Sequence, residues 1–282
     1  MTGNLLSGKE AALSLNEKNK ELTAGLKAKG ITPCLGIIRI GERGDDIAYE
    51  RGVMKRFETL GLDVKRYLLP ADADDDAVLS VISDLNADPS VHGVLLFRPL
   101  PKHLDKARIE NALLPEKDVD GMTRTSLAGV FGGENVGYAP CTPAGCMKLL
   151  DHYDIDPAGK NVCVIGRSLV VGRPLAMLLM ARHATVTICH TKTKDLPAIA
   201  KKADILVETA GKANMITQEY LSKDQIVIDV GINVDEDGNL CGDVDREAAK
   251  QAGCRYTPVP GGVGAMTTAV LAEHVIAAAG KK

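Results

Sequence analysis

Residues 161–183 read NVCVIGRSLVVGRPLAMLLMARH, and this stretch limits the fold more than any other. The run 161–166 is short, apolar and rich in β-branched residues, as a buried strand requires. It ends at Gly166, and a second glycine, Gly172, opens a run whose apolar residues recur at helical spacing. Pro174 falls in the first turn of that helix, where a missing N–H breaks no intrahelical bond. Strand, glycine-bounded turn and helix in that order make half of a βαβ unit, the element of parallel sheets. The turn also offers free N–H groups and the positive end of a helix dipole to a phosphate. The spacing is not G-x-G-x-x-G, so a plain tight turn is the other reading.

The same alternation continues on both sides. After the helix at 173–183, strands are expected at 184–189, 204–210 and 225–231, with a helix at 194–203. Upstream, helices at 7–29, 46–60 and 74–86 alternate with strands at 34–41, 63–69 and 91–97. A long apolar-striped helix is expected at 264–280. A chain of 282 residues exceeds one ordinary core, so two domains are expected. The fold class is α/β: an N-terminal α/β domain, then a Rossmann-like domain with a parallel sheet.

Composition narrows the function classes. Hydrophobic residues make up 45% and charged residues 25%, with a net charge of −3 and no basic block, so no nucleic-acid partner is expected. The start meets charge at once and no run of 18 uncharged apolar residues occurs, so neither a signal peptide nor a membrane span is expected. The seven cysteines include no C-x-x-C. Cys34, Cys163 and Cys189 sit in strand-like runs and read as small core residues, which fits a reducing cytoplasm and no metal.

The strand at 184–189 bears on the cofactor. An NAD site usually carries an acid at that strand's end for the ribose 2′-hydroxyl. Here His190-Thr191-Lys192-Thr193 follows. With Arg167, Ser168 and Arg173 in the turn, these groups suit a 2′-phosphate, hence NADP. Elsewhere, PEKDVDGM (115–122) places Asp118 and Asp120 in a loop, as turn formers or as a ligand-binding acid. TPVPGGVGAMTT (257–268) is a stiff loop running into the last helix, either a connecting turn or backbone that approaches a ligand. The acids of DVGIN (229–233) and GDVD (242–245) read by default as turn chemistry.

Together these stretches resemble the bifunctional methylenetetrahydrofolate dehydrogenase/cyclohydrolase family. GVLLFRPLP (93–101), PEKDVDG (115–121), PCTPAG (140–145), VIGRSLVVGRP (164–174), ATVTICHTKT (184–193), IDVGIN (228–233) and TPVPGGVGAMT (257–267) occur in the family's order. The resemblance implies a folate-binding catalytic domain of 1–139 plus 267–282 and an NADP-binding domain of 140–266, with the active-site cleft between them. It implies a homodimer paired through the nucleotide domains, and hydride transfer from 5,10-methylenetetrahydrofolate to NADP. Carried over by position, Tyr49 packs against the folate and Asp120 hydrogen-bonds the pterin. Val259, Pro260, Gly261 and Gly262 line the folate end. Gly166, Arg167, Ser168, Gly172, His190 and Thr191 meet the NADP ribose and phosphates. Thr142 lies near the nicotinamide, and Gly231 and Ile232 line the cofactor channel.

The chain departs from the family where hydrolysis is concerned. The family's helix motif is Ser-x-x-Tyr-x-x-x-Lys; here Asp46, Tyr49 and Val53 stand at those places. Phe97 replaces the usual strand-end glutamine, and Ala265 a proline in the last loop. Lysine and glutamine are the pair implicated in activating water. Of the nearby basic groups, Lys55 faces elsewhere on the helix and Arg56 lies two turns on. Arg98, one residue after Phe97, points to the opposite face if the strand is regular. The resulting expectation is an NADP-dependent dehydrogenase with weak or absent cyclohydrolase activity. The alternatives are a fully bifunctional enzyme with a substitute base, a similar dehydrogenase for another small substrate, and a nucleotide-binding regulator of the same build.

Overall fold

The structure, a computed structural model, describes residues 4–235 and 237–281. The chain divides into two compact units, Ser14–Cys141 with Thr268–Lys282 and Met1–Leu13 with Thr142–Thr267.

In the first unit, three parallel strands, β1 (Cys34–Ile40), β2 (Asp63–Leu69) and β3 (Gly93–Leu96), lie in the order β2-β1-β3. All seven β1 residues and all four β3 residues are buried, as expected where helices cover a parallel sheet. Edge strand β2 alternates instead between exposed and half-buried residues. Ile38, Ile82, Leu85, Val94, Leu96 and Ile109 are among the residues that fill the core.

The Gly44–Leu60 helix buries Asp46, Glu50, Val53, Phe57 and Leu60, spaced by four and three residues as one helical stripe requires. Gly61 ends it in the left-handed conformation. Glu50 on that stripe receives Arg39 Nε at 2.6 Å and is also bonded by Arg66. A buried carboxylate held by two guanidinium groups is a neutralised charge, and it fixes the rotation of the helix. Tyr49 and Val53 are placed by that rotation.

The second unit contains β4 (Asn161–Ile165), β5 (Thr185–Cys189), β6 (Ile205–Glu208) and β7 (Ile226–Asp229). A short antiparallel pair, β8 (Asn233–Val234) and β9 (Leu240–Cys241), follows, and then β10 (Arg255–Tyr256). Its five-stranded parallel sheet has the order β10-β7-β6-β4-β5. The chain order reverses at β4, which has β5 on one side and β6 on the other. Such a switch point opens a crevice at the carboxyl ends of the strands.

The first described residues group by contact with the second unit, while the sequence leads one to expect 1–139 in the folate-binding domain. The backbone gives the reason: Tyr256 N–H donates to Asn4 O at 2.9 Å and Leu6 N–H to Tyr256 O at 2.8 Å, extending the β10 edge. The Val263–Gly280 helix is long and apolar enough by composition to cross a membrane, but most of it is buried. Val270, Leu271, Ala272 and Val275 are wholly buried, so it is a core helix.

Candidate active site

In the first unit, the carboxyl end of β3 brings the family-motif positions together. Tyr49 and Phe97 meet edge to face, with ring centroids 5.9 Å apart and an interplanar angle of 73°. Val53 is wholly buried and Phe97 nearly so. Val53 and Phe97 therefore form an apolar wall beside the tyrosine.

Arg98 departs from the sequence expectation. It does not turn away from this region; its Nη2 donates to Asp120 Oδ2 at 2.7 Å. The physical reason is that β3 ends at Leu96, so strand alternation no longer governs residue 98. Burial pushes the Asp120 carboxyl above its ordinary value, and Arg98 opposes that shift. The Tyr49 hydroxyl is raised well above its usual range by burial, then by the Asp120 and Cys141 charges, with Arg56 opposing. Arg56, expected two turns away, thus reaches Tyr49 electrostatically, and burial lowers its own pKa.

The two acids of the KDVDG loop have different roles. Asp118 is wholly buried and accepts from Met122 N–H at 3.0 Å, Thr123 N–H at 2.8 Å and the Ser126 hydroxyl at 2.6 Å. It holds the loop closed. Gly121 has φ +63°, and a Cβ there would overlap Pro140 N and Tyr138 O. With Asp118 occupied inside, Asp120 is the loop carboxylate that meets Arg98 and stays partly exposed.

In the second unit, the nucleotide-turn residues gather at strand ends. Gly166 follows β4, and a Cβ on Gly172 would overlap the Gly166 carbonyl, so the turn closes only with glycine there. The Ser168 hydroxyl accepts Val171 N–H at 3.1 Å, and Arg173 N–H donates to Ser168 O at 3.0 Å. Arg167 and Ser168 are exposed, at the N-terminus of the ten-residue Gly172–Ala181 helix. After β5, His190 N–H donates to the Thr193 hydroxyl at 2.8 Å, and His190 Nδ1 accepts Lys192 N–H at 3.1 Å. The neutral ring therefore carries its proton on Nε2, and Thr191 is exposed beside it. A helix N-terminus, a glycine cradle and these exposed donors fit a nucleotide with phosphate groups.

The remaining positions are held by backbone. Thr142 and Thr267 hydroxyls lie 3.3 Å apart. Gly261 has φ +102° and its carbonyl accepts Lys9 N–H at 3.1 Å, which ties Val259–Gly262 to the first helix. Asp229 accepts from the N–H groups of Gly231, Asp243 and Val244 at 2.9, 3.1 and 2.9 Å. Asp243 accepts Gly211 N–H and the Asn233 amide, each at 2.7 Å. Asp229 thus forms a local turn only through Gly231 N–H, and otherwise the two strand-end acids tie distant segments together around Gly231. Ile232 projects outward, 66% exposed.

Sequence pattern gave no signal for Glu208. It is wholly buried at the end of β6, and one carboxyl oxygen accepts Ala210 N–H at 2.8 Å while the other has no partner. Burial, with Asp243 and Asp229 nearby, raises its pKa to about 9. Among the described residues, no group of three His, Cys, Asp or Glu side chains could hold a metal ion.

Two family models match the chain: "Tetrahydrofolate dehydrogenase/cyclohydrolase, catalytic domain" over residues 6–120 and the corresponding NAD(P)-binding domain over residues 140–282. The bifunctional protein FolD of Clostridium botulinum is 47% identical over 275 residues, covering 98% of each chain. The crystal structure of a bifunctional FolD from Campylobacter jejuni superposes with a TM-score of 0.95 at 40% identity, covering 98% of both chains. A Trypanosoma brucei methylenetetrahydrofolate dehydrogenase-cyclohydrolase, solved with NADP cofactor and inhibitor, gives 0.90 at 31% identity over 98% of this chain and 97% of that one. With these matches running through both units, the chain belongs to the tetrahydrofolate dehydrogenase/cyclohydrolase family.

Proposed function

We propose that the protein oxidises 5,10-methylenetetrahydrofolate to 5,10-methenyltetrahydrofolate with NADP and has little or no cyclohydrolase activity. The observation that carries the second half is the apolar wall: Val53 is wholly buried and Phe97 packs against Tyr49 where a lysine and a glutamine would act on water.

NADP supplies the hydride acceptor. The chain's own residues bind and orient. Asp120 accepts hydrogen bonds from the pterin, and Tyr49 packs on its face. Val259, Pro260, Gly261 and Gly262 line the folate end. Arg167, Ser168, His190 and Thr191 hold the ribose phosphate, and Gly166 and Gly172 let the backbone approach it. Thr142 lies near the nicotinamide, with Gly231 and Ile232 along the cofactor channel. When the methylene carbon loses hydride, the cation is stabilised by the folate's own nitrogens. Positioning and exclusion of water then account for much of the rate, and hydride transfer needs no base.

Hydrolysis is different, because water must lose a proton. A fully bifunctional enzyme is the second reading, and the Arg56 charge beside Tyr49 is what favours it. A guanidinium is a poor proton carrier compared with an ammonium or imidazole, and Arg98 is engaged with Asp120. We also infer a homodimer paired through the second unit, where Met180 and Ile188 are exposed; light scattering at a monomer mass would end that reading. The deciding assay follows methylenetetrahydrofolate-dependent reduction of NADP, then enzyme-dependent decay of methenyltetrahydrofolate. No turnover in the first would remove the proposal, and decay as fast as oxidation would remove its second half.

A further inference from the structure

Arg98 and Asp120 are each about one-fifth exposed, at 21% and 19%, and share one bond of 2.7 Å. A guanidinium has five N–H donors, so this contact leaves most of them available. Asp118 is fully engaged within its loop. The Tyr49 ring lies nearby, backed by the buried Phe97. The polar groups of this region thus include one carboxylate with guanidinium donors directly beside it, next to the Cys141 thiol and the Tyr49 hydroxyl.

We propose that Arg98 is a specificity-determining residue, which together with Asp120 reads the 2-amino-4-oxo edge of a pterin. The inference rests on the folate reading above and deepens it. That edge presents two donors, the 2-amino group and N3–H, next to one acceptor, the 4-oxo oxygen. A carboxylate satisfies the donors and leaves the oxygen; a neighbouring guanidinium satisfies the oxygen. Bonded to each other, the two groups hold that acceptor–donor order before any ligand arrives. A 4-amino pteridine puts a donor where the guanidinium also donates. Sites built to pair a specific polar group discriminate strongly against ligands that leave it unpaired.

The test uses the intact protein and two probes, folic acid and its 4-amino counterpart aminopterin, which differ in the 4-substituent and in N3, protonated in folic acid and bare in aminopterin. Calorimetry gives the ratio of their dissociation constants for wild type, Arg98→Leu and Arg98→Lys. Wild type should favour folic acid by roughly tenfold or more, the scale of one charge-assisted hydrogen bond. Arg98→Leu should lower the ratio several-fold, leaving the part that Asp120 reads through N3–H, and Arg98→Lys should retain more of it. If Arg98→Leu does not fold, Arg98→Gln carries the comparison. A merely structural role for Arg98 predicts that both affinities fall together with the ratio unchanged, and that result overturns the inference. So does wild type that favours aminopterin. Unchanged ratio in an enzyme that turns over methylenetetrahydrofolate defeats this inference alone; wild type that binds neither probe defeats it together with the folate reading.

Discussion

The Tyr49 and Phe97 rings meet edge to face, their centroids 5.9 Å apart, and Phe97 closes that side of the tyrosine with apolar surface. Replacing both apolar residues, Val53→Lys with Phe97→Gln, should therefore produce enzyme-dependent hydrolysis of methenyltetrahydrofolate where wild type shows little. Val53→Lys alone should chiefly destabilise, because an unpaired ammonium enters a wholly buried position. Thermal melts of the single and double variants, beside absorbance decay in a weakly nucleophilic buffer, check both statements. A double variant as inactive in hydrolysis as wild type contradicts the first.

Asp120→Ala should weaken folate binding by about 1–3 kcal/mol, since pterin donors lose their acceptor, and leave NADP affinity nearly unchanged. The pH dependence follows from the burial-raised carboxyl pKa. Asp120 can accept both pterin donors only when ionised, so folate affinity should fall as pH drops through that raised value. Arg98→Leu removes the group that opposes the shift, so the loss should begin at higher pH. Titrations of folate affinity against pH in both proteins would show it; superimposable curves would not support the pairing.

NADP should be favoured over NAD, as judged by kcat/KM. Arg167→Ala should raise KM for NADP far more than for NAD, at a cost of up to about 3 kcal/mol for a charge-assisted bond. Equal losses with the two cofactors would move Arg167 away from the 2′-phosphate.

Glu208 makes stability depend on pH. Its folded pKa, about 9, lies above the ordinary 4.5. The folded state therefore binds the proton more tightly, and its contribution is fully present below about pH 4.5. It is lost progressively as pH rises toward 9, by at most ~1.4 kcal/mol per pH unit. Glu208→Gln removes that titration. Its melting temperature should exceed that of wild type at pH 8.5 and the gap should narrow toward pH 5. A constant offset across that range would assign the effect to packing.

Sequence reasoning located the parallel-sheet alternation because periodicity is local: 63–69 was read residue for residue as β2, and the Val263–Gly280 helix to within one residue. It missed the Arg124–Gly132 and Arg246–Ala252 helices, which are short and glycine-rich or weakly apolar. Asp229 was legible as a turn former through its bond to Gly231 N–H, whereas Asp243 bonds Gly211 and Asn233, which no local pattern shows. Arg98 was not legible, because its direction depends on where β3 stops. Nor was Glu208, whose character comes from burial and from acids twenty or more residues away.

The chain crosses between its units after residues 13, 141 and 267. Within the first unit, the buried Asn19 amide donates to the Ala269 carbonyl at 3.1 Å, joining segments 250 positions apart. A gene fragment ending near residue 141 therefore lacks the last helix on which its own core closes, and one starting near 142 lacks the strand-like edge of residues 4–6. Neither half can be inherited, fused or excised as a cassette by one cut. Recombination in such a chain has to exchange both halves together or insert the middle whole.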